Sequence, residues 1–277
     1  MQQAADFLAE SETLYSLLAD LADEDFGQAT AFKGWTLNQV VGHLHMWNWA
    51  ADLSLRDGEA FLAFFSSVSA QLREGDLGSF ENRWLDGLKG RVLLAEWRKF
   101  YLPMAERFGA ADPSARVAWA GPSMSVRSSI TARLMETWAH GQAIYDLLGV
   151  VRQNEDRIRN IAVLGVNTYG WTFKVRNLEP PQPIPFVSLT APSGAVWTFG
   201  EEHDAERIDG LAEEFCQVVT QTRNVADTRL RITGPNANAW MARAQCFAGR
   251  AEDPPPPGTR ATRPRGSAAQ RIGGRTS

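Results

Sequence analysis

Apolar side chains recur every three or four residues through most of the first half of the chain. This period places them on one face of an α-helix. The pattern predicts one amphipathic helix over residues 3–25 and a second over about 36–56. Thr36 and Gln39 have the spacing of a capping box, in which two side chains satisfy free amides of the first helical turn. The second helix is therefore expected to begin near Thr36.

Three more helices are predicted before residue 150. They are a shorter helix over 59–74, a long helix over 82–108 that bends at Pro103, and a helix that holds Glu136 and His140 and ends at Gly149. Substantial helices joined by loops are typical of a four-helix bundle, in which functional sites lie in the core between facing helices.

After about residue 154 the pattern changes. It predicts a helix over 155–174, a proline-rich connector over 179–185, strands over 186–190 and 195–199, a helix over 211–223, a strand over 228–233 and a helix over 235–247. The sequence thus predicts an α+β two-domain protein, with a helical bundle over 1–152 and a small α+β domain over 153–250. Residues 251–277 are expected to be a disordered tail, because they contain too few apolar residues to form a core.

The composition argues against several classes of protein. A formal net charge of −4 is not typical of a nucleic-acid-binding protein. No apolar run reaches the roughly 18 residues that span a bilayer. The first residues lack the basic flank and apolar core of a signal peptide, so we expect a soluble, cytoplasmic protein that acts on a small molecule. Cys216 and Cys246 lie in predicted helices and are expected to be buried and reduced.

Glu136 and His140 are the first candidates for chemistry. Residues four apart stack on one face of a helix, so this carboxylate and imidazole can converge on one metal ion. Taken alone, the pair is also consistent with a chance hydrogen-bonded contact on a helix surface. His43 and His45 flank the apolar stripe of the second helix, with His43 somewhat nearer its centre. Either one is also consistent with a histidine at the core edge that bonds a carbonyl group.

A bundle that brings His43 opposite Glu136 and His140 would create a His₂Glu set with a fourth position open. That arrangement is typical of catalytic rather than structural zinc. A metal in such a site lowers the pKa of bound water or deprotonates a bound thiol. The chain lacks His-Glu-x-x-His, so peptide hydrolysis is not expected. Serine-hydrolase, P-loop and Rossmann motifs are absent as well.

Several further segments match one known pattern, namely 34–37, 41–44, 132–142, 214–221, 232–235 and 244–249. On these segments the chain resembles the DinB-like superfamily of metal-binding four-helix bundles, in the branch typified by mycothiol-dependent maleylpyruvate isomerase. The resemblance implies that His43, Glu136 and His140 are metal ligands and that His45 is not. It also implies a sterol-carrier-like C-terminal domain and a divalent metal, with zinc as first choice and nickel, manganese or iron as alternatives. Mycothiol is the thiol cofactor that it implies.

Three neutral residues depart from the family pattern. Ala143 stands three residues after the last implied ligand, where Asp is common, and Gln39 and Asn48 stand where acidic residues are usual. These changes remove negative charge near the metal, so we expect a retained metal and a diverged substrate chemistry. Arg223 is the candidate catalytic residue that would supply a guanidinium to an acidic substrate, and a surface arginine is the alternative.

Three functions follow from these features. The leading interpretation is an enzyme whose metal activates a small thiol for isomerisation or S-transfer. In a second interpretation the metal acts without a thiol, as a Lewis acid or water activator, in a cyclisation, elimination or hydrolysis. In a third, the protein binds a small hydrophobic molecule without catalysis. The oligomeric state is not predicted.

Overall fold

The computed structural model describes residues 1–74 and 77–262 of the chain. The first part contains α1 (Gln2–Leu18), α2 (Leu37–Arg56), α3 (Gly58–Glu74), α4 (Leu77–Leu85), α5 (Gly90–Ala110), β1 (Arg116–Trp119), β2 (Gly121–Ser125) and α6 (Val126–Leu148). Among all the described residues, no helix is both long enough and apolar enough to cross a membrane.

Four of these helices form the predicted bundle. α1 packs against α5 and α6, and α2 packs against the same two helices. Leu14, Val41, Trp97 and Leu134 are buried in the core between them. Burying one large apolar side chain stabilises a fold by about 1.5–3 kcal/mol. This core therefore fixes α2 and α6 relative to each other.

α3 and α4 lie against α2 outside that core. Met46 and Trp47 of α2 and Phe61 of α3 share a second, smaller buried cluster. Through this packing α4 presents Glu81 to α2, where the residue is only 5 % exposed.

The start of α2 agrees with the capping-box prediction. The Thr36 hydroxyl accepts a hydrogen bond from the Gln39 amide at 3.2 Å, and the Gln39 side chain accepts one from the Thr36 amide at 2.9 Å. The first helix, in contrast, ends at Leu18 instead of continuing to residue 25. Residues 23–27 form a separate short turn that buries Phe26.

The helix predicted over 82–108 is two helices, α4 and α5. Asp86 and Gly87 have φ angles of 46° and 81°, a left-handed conformation that ends α4. Pro103 lies inside α5. The antiparallel hairpin of β1 and β2 was not predicted, because β2 begins with Gly121-Pro-Ser123, a sequence typical of a loop.

The second part contains α7 (Arg159–Asn167), α8 (Tyr169–Lys174), β3 (Phe186–Thr190), β4 (Val196–Phe199), β5 (Arg207–Leu211), α9 (Ala212–Val219), β6 (Arg231–Thr233) and α10 (Pro235–Met241). The strand order is β4-β3-β5-β6. β3 and β5 are parallel, and the two outer pairs are antiparallel. Val187 and Ile208 of the sheet share a buried core with Phe215 and Trp240 of the helices. The α+β two-domain architecture is confirmed.

Several boundaries in this part differ from the predictions. The helix predicted over 155–174 is interrupted at Thr168. The helices expected to end at residues 223 and 247 end at Val219 and Met241. The strand β5 was not predicted, because it passes directly into α9 without a loop to separate them.

The two parts share buried contacts. Met135 and Trp138 of α6 belong to the apolar core of the second part. Glu10 of α1 accepts hydrogen bonds from both Arg152 and Arg157. α6, which carries two of the expected ligands, therefore packs against both parts of the chain. The domain boundary at residue 152 stays a prediction.

The beginning of the predicted disordered tail has a defined structure. Residues 251–262 run along the surface, and Lys33 donates a hydrogen bond of 2.8 Å to the Glu252 carboxylate. Polar contacts of this kind leave no apolar pattern in the sequence, which is why they were not predicted. Residues 263–277 of the predicted tail lie outside the described residues.

Candidate metal centre

Three side chains meet between α2 and α6. Nε2 of His43 lies 3.6 Å from Oε2 of Glu136, and Nε2 of His140 lies 3.0 Å from the same oxygen. One donor atom of each residue lies within 4.8 Å of the other two. The structure thus brings together the three residues expected as ligands.

Helix geometry accounts for this convergence. Glu136 and His140 lie one turn apart on α6, so their side chains share a face. Ser125 caps the start of α6 through a 3.1 Å hydrogen bond from the Ser128 amide. Gly149 ends the helix in a left-handed conformation with a φ angle of 68°. Both ends of the helix are therefore defined by local sequence.

Glu81 of α4 completes the surroundings of His43. Its Oε1 lies 2.7 Å from Nδ1 of His43 and accepts a 3.2 Å hydrogen bond from Nε1 of Trp47. Because Glu81 engages Nδ1, the nitrogen of His43 that faces Glu136 and would bind a metal is Nε2. Glu81 was not identified from the sequence, because it follows His43 by 38 residues and shares no motif with it.

Aromatic rings enclose the centre on one side. The Trp35 ring is parallel to His140 at a centroid distance of 5.6 Å, and the Phe32 ring meets His140 edge-on at 5.0 Å. Both rings come from the turn before α2, where Lys33 and Gly34 have positive φ angles of 51° and 71°. The tight turn is what places both rings beside one histidine.

Burial and charge set the protonation of the centre. Burial alone would lower the pKa of His43, but the Glu81 and Glu136 carboxylates outweigh it and raise the pKa to about 9. Burial opposes ionisation of Glu136, yet hydrogen bonds from His140 and His43 hold its pKa well below the usual range. Burial lowers the pKa of His140. In the metal-free protein a protonated His43 therefore balances an ionised Glu136.

His45 is not part of this group. Its ring lies against Trp84 and Phe100, at centroid distances of 5.4 and 5.7 Å. Burial lowers its pKa to about 4, so the ring is neutral at pH 7. The structure places it in an aromatic environment on the other flank of α2.

Two of the neutral residues noted in the sequence have defined partners. The Gln39 side chain is used in the cap of α2. Asn48 is completely buried, and its Oδ1 accepts a 3.0 Å hydrogen bond from Nε of Arg133. Arg133 is 2 % exposed and lies one turn before Glu136 on α6. Arg133 was not identified from the sequence as a functional residue, although it belongs to the motif that carries Glu136 and His140.

A small, partly open cleft lies beside the centre. Ala143, Asp146 and Arg223 line it, together with Phe32 and Arg260. The Arg223 guanidinium donates two hydrogen bonds to Asp146, at 2.7 and 2.6 Å. The candidate catalytic arginine therefore borders the cleft with its charge paired to α6.

Arg260 connects this cleft to the centre. Its guanidinium lies 5.1 Å from the centroid of the Phe32 ring, the ring that also contacts His140. Nη1 of Arg260 donates to the Gln221 carbonyl at 2.9 Å. Arg260 was not among the candidates, because the sequence assigned it to the disordered tail.

Known proteins are similar to this chain in sequence. A family model described as "Mycothiol maleylpyruvate isomerase N-terminal domain" matches residues 7–145. Two uncharacterized proteins of Mycobacterium tuberculosis, MT0041 of strain CDC 1551 and Rv0036c of strain H37Rv, are each 38 % identical to the chain over 245 residues. Each match covers 88 % of this chain and 95 % of the relative.

Solved structures show the same architecture. The crystal structure of the mycothiol-dependent maleylpyruvate isomerase matches with a TM-score of 0.52 at 13 % identity, over 78 % of this chain and 87 % of that chain. A histidine-to-alanine mutant of that enzyme matches over the same shares with a TM-score of 0.50. At this identity the match shows a shared fold. Together with the family model and the two mycobacterial relatives, it confirms the resemblance seen in the motifs: the chain belongs to the mycothiol maleylpyruvate isomerase N-terminal domain family.

Proposed function

We propose that the protein is a divalent-metal-dependent enzyme that activates a small thiol, of the mycothiol type, for isomerisation or S-transfer on a small organic substrate. The observation that carries the proposal is the convergence of His43, Glu136 and His140, with one donor atom of each within 4.8 Å of the others. The family to which the chain belongs supports the thiol and the isomerase chemistry.

The donor set fits a divalent ion. Imidazole nitrogen and carboxylate oxygen bind zinc at about 2.0–2.2 Å, so atoms that share one tetrahedral ion lie roughly 3–4 Å apart. The distances of 3.6 and 3.0 Å from Glu136 to the two histidines agree with this spacing. Zinc is our first choice, and nickel, manganese and iron bind the same donor types.

The residues of the chain have distinct roles in this proposal. A bound divalent ion with an open coordination position would lower the pKa of a thiol or a water molecule bound there. Glu81 holds the His43 ring in orientation through Nδ1. Trp35 and Phe32 limit the access of water to His140. The neighbouring cleft, bordered by Ala143 and Arg223, is the side from which a substrate would approach the centre.

A thiol-independent reaction at the same metal is the second candidate. It is favoured by Ala143, which lines the cleft at a position where the family pattern commonly has a carboxylate. A cyclisation or elimination promoted by a Lewis acid needs a polarised substrate and no thiol. A contact between Arg223 and the substrate stays a prediction under either candidate.

Metal binding by the full chain tests the proposal. We expect chelator-treated protein to bind one zinc ion in calorimetry, and the His43→Ala variant to lose that binding with only a modest change in melting temperature. The His203→Ala variant is a matched control, because His203 lies in a loop of the second part, outside the group of three donors. Addition of mycothiol to Co²⁺-loaded protein should produce a thiolate charge-transfer band.

The outcomes separate the interpretations. A band with mycothiol supports the thiol-dependent enzyme, whereas metal binding without a band favours the thiol-independent one. If His43→Ala destabilises the fold but changes no reaction, the protein is a non-catalytic binding protein. Absence of metal binding by the wild type would exclude both enzyme proposals.

A further inference from the structure

Arg133 carries a buried charge without a carboxylate beside it. Among the described residues its guanidinium forms no ion pair with a carboxylate, and the hydrogen-bond partner that it does have, Asn48, is neutral. Nη2 of Arg133 and Nδ2 of Asn48 are both buried and have no hydrogen-bond partner within the described part of the chain. Buried charges in proteins are normally paired, so this arrangement requires a reason.

The opposing charge that acts on Arg133 is Glu136 of the metal centre. The two residues lie three apart on α6 and therefore on neighbouring positions of one helix face. Because Asn48 does not neutralise the guanidinium, its positive charge acts on the centre itself. In a buried environment a unit charge is weakly screened, so it influences any ion or ligand bound there.

A fixed positive charge has opposite effects on the two species that a metal centre binds. It repels the metal dication and attracts an anion in the open coordination position. For two unit charges about 10 Å apart at the effective dielectric of a protein interior, such an effect is on the order of tenfold in a binding constant. The effect on a neutral ligand of the same position is much smaller.

We propose that Arg133, held by the neutral Asn48, is a positioning residue that makes the metal centre select an anion, such as a thiolate or a carboxylate, over a neutral ligand in its open position. The inference rests on the proposed function, because it needs a metal at His43, Glu136 and His140. It adds to that function the charge of the group that the metal accepts.

Ligand binding to the Co²⁺-loaded full chain tests this selectivity without any activity measurement. Azide is the anionic probe and imidazole the neutral probe, and both are followed in the visible spectrum. Asn48→Asp places a carboxylate against the guanidinium, and Arg133→Met removes the charge. In both variants we expect azide affinity to fall on the order of tenfold, imidazole affinity to change less than about twofold, and Co²⁺ affinity to rise.

Arg133→Lys serves as the matched control, because it keeps the charge and should keep the preference for azide. Asn48→Asp keeps a polar side chain paired with the Arg133 guanidinium, so it tests the inference even if Arg133→Met does not fold. Equal shifts of azide and imidazole affinity, or an unchanged azide affinity in Asn48→Asp, would overturn the inference and leave the metal centre intact. Failure of the wild type to bind Co²⁺ would overturn the proposed function and this inference with it.

Discussion

Nδ1 of His43 lies 2.7 Å from Oε1 of Glu81, on a helix outside the four-helix bundle. Carboxylates that bind the far nitrogen of a metal-ligating histidine fix its tautomer and raise its basicity. Trp47 donates to the same oxygen and so holds the carboxylate in place. Within the described part of the chain, Glu81 is the side chain through which α4 contacts His43.

The first prediction concerns Glu81. Glu81→Gln keeps the size of the side chain but loses its charge, so the zinc affinity of the chelator-treated protein should fall by about 10–100-fold. Calorimetric titration at constant pH measures the change. Glu59→Gln on α3 is the control, because Glu59 is exposed. A similar loss in both variants, or no loss in Glu81→Gln, would show that Glu81 does not support the ligand.

The second prediction concerns the pH dependence of stability. Glu10 is 2 % exposed and ion-paired with Arg152 and Arg157. Burial would raise its pKa, but the two arginines outweigh burial and hold the pKa below the ordinary value of 4.5. A lowered pKa means that the pair stabilises the fold above about pH 4.5 and that this contribution is lost as the pH falls through the lowered value.

Glu10→Gln should therefore reduce the free energy of unfolding by about 3–5 kcal/mol at pH 7, because it leaves the buried Arg152 guanidinium without a counter-charge and leaves Arg157 with only the exposed Glu155. The difference from the wild type should narrow when denaturant unfolding is repeated below pH 4. Glu12→Gln is the control on the same helix, since Glu12 pairs with Arg98 at the surface. Its cost should stay below about 1 kcal/mol. Equal costs would contradict the prediction.

The sequence predicted what depends on local periodicity and caps. The start of α2 follows from the Thr36 capping box, and the end of α6 follows from Gly149. It did not predict β5 or the break between α4 and α5. Those features depend on strand pairing with β3 and on left-handed residues whose conformation no apolar pattern reports.

The residues of the candidate site also differ in whether the sequence could identify them. His43, Glu136 and His140 were identified because two lie one helical turn apart and the family motif supplies the third. Glu81 and Arg260 were not identified. Each reaches the site from a segment distant in the chain, through a contact that only the folded structure defines.

The third prediction concerns Ala143. Ala143→Asp places a carboxylate in the cleft, where it can act as a base or attract the neighbouring Arg223 and Arg260. Under the proposed function, we expect the rate of the thiol-dependent reaction to change by about tenfold or more, since a positioned acid or base contributes at least that much. Steady-state kinetics of the zinc-loaded enzyme measures it. Ala143→Asn adds similar volume without charge, and an effect shared by both variants would assign the change to size.

Unchanged rates and an unchanged substrate range in Ala143→Asp would remove the case for diverged chemistry. That result would mean that the carboxylate common in the family has no counterpart role here. The three neutral substitutions would then be variation around an unaltered reaction.

The last prediction separates two roles of Arg223. The guanidinium and the Asp146 carboxylate are both largely buried and joined by two hydrogen bonds. Breaking a buried pair from one side leaves an uncompensated charge, so Arg223→Met should lower the free energy of unfolding by about 3–5 kcal/mol. The double variant with Asp146→Leu should recover a large part of that loss in denaturant unfolding. Recovery of stability without recovery of KM for an acidic substrate would assign Arg223 to substrate binding, whereas recovery of both would assign it to the junction between α6 and the second part.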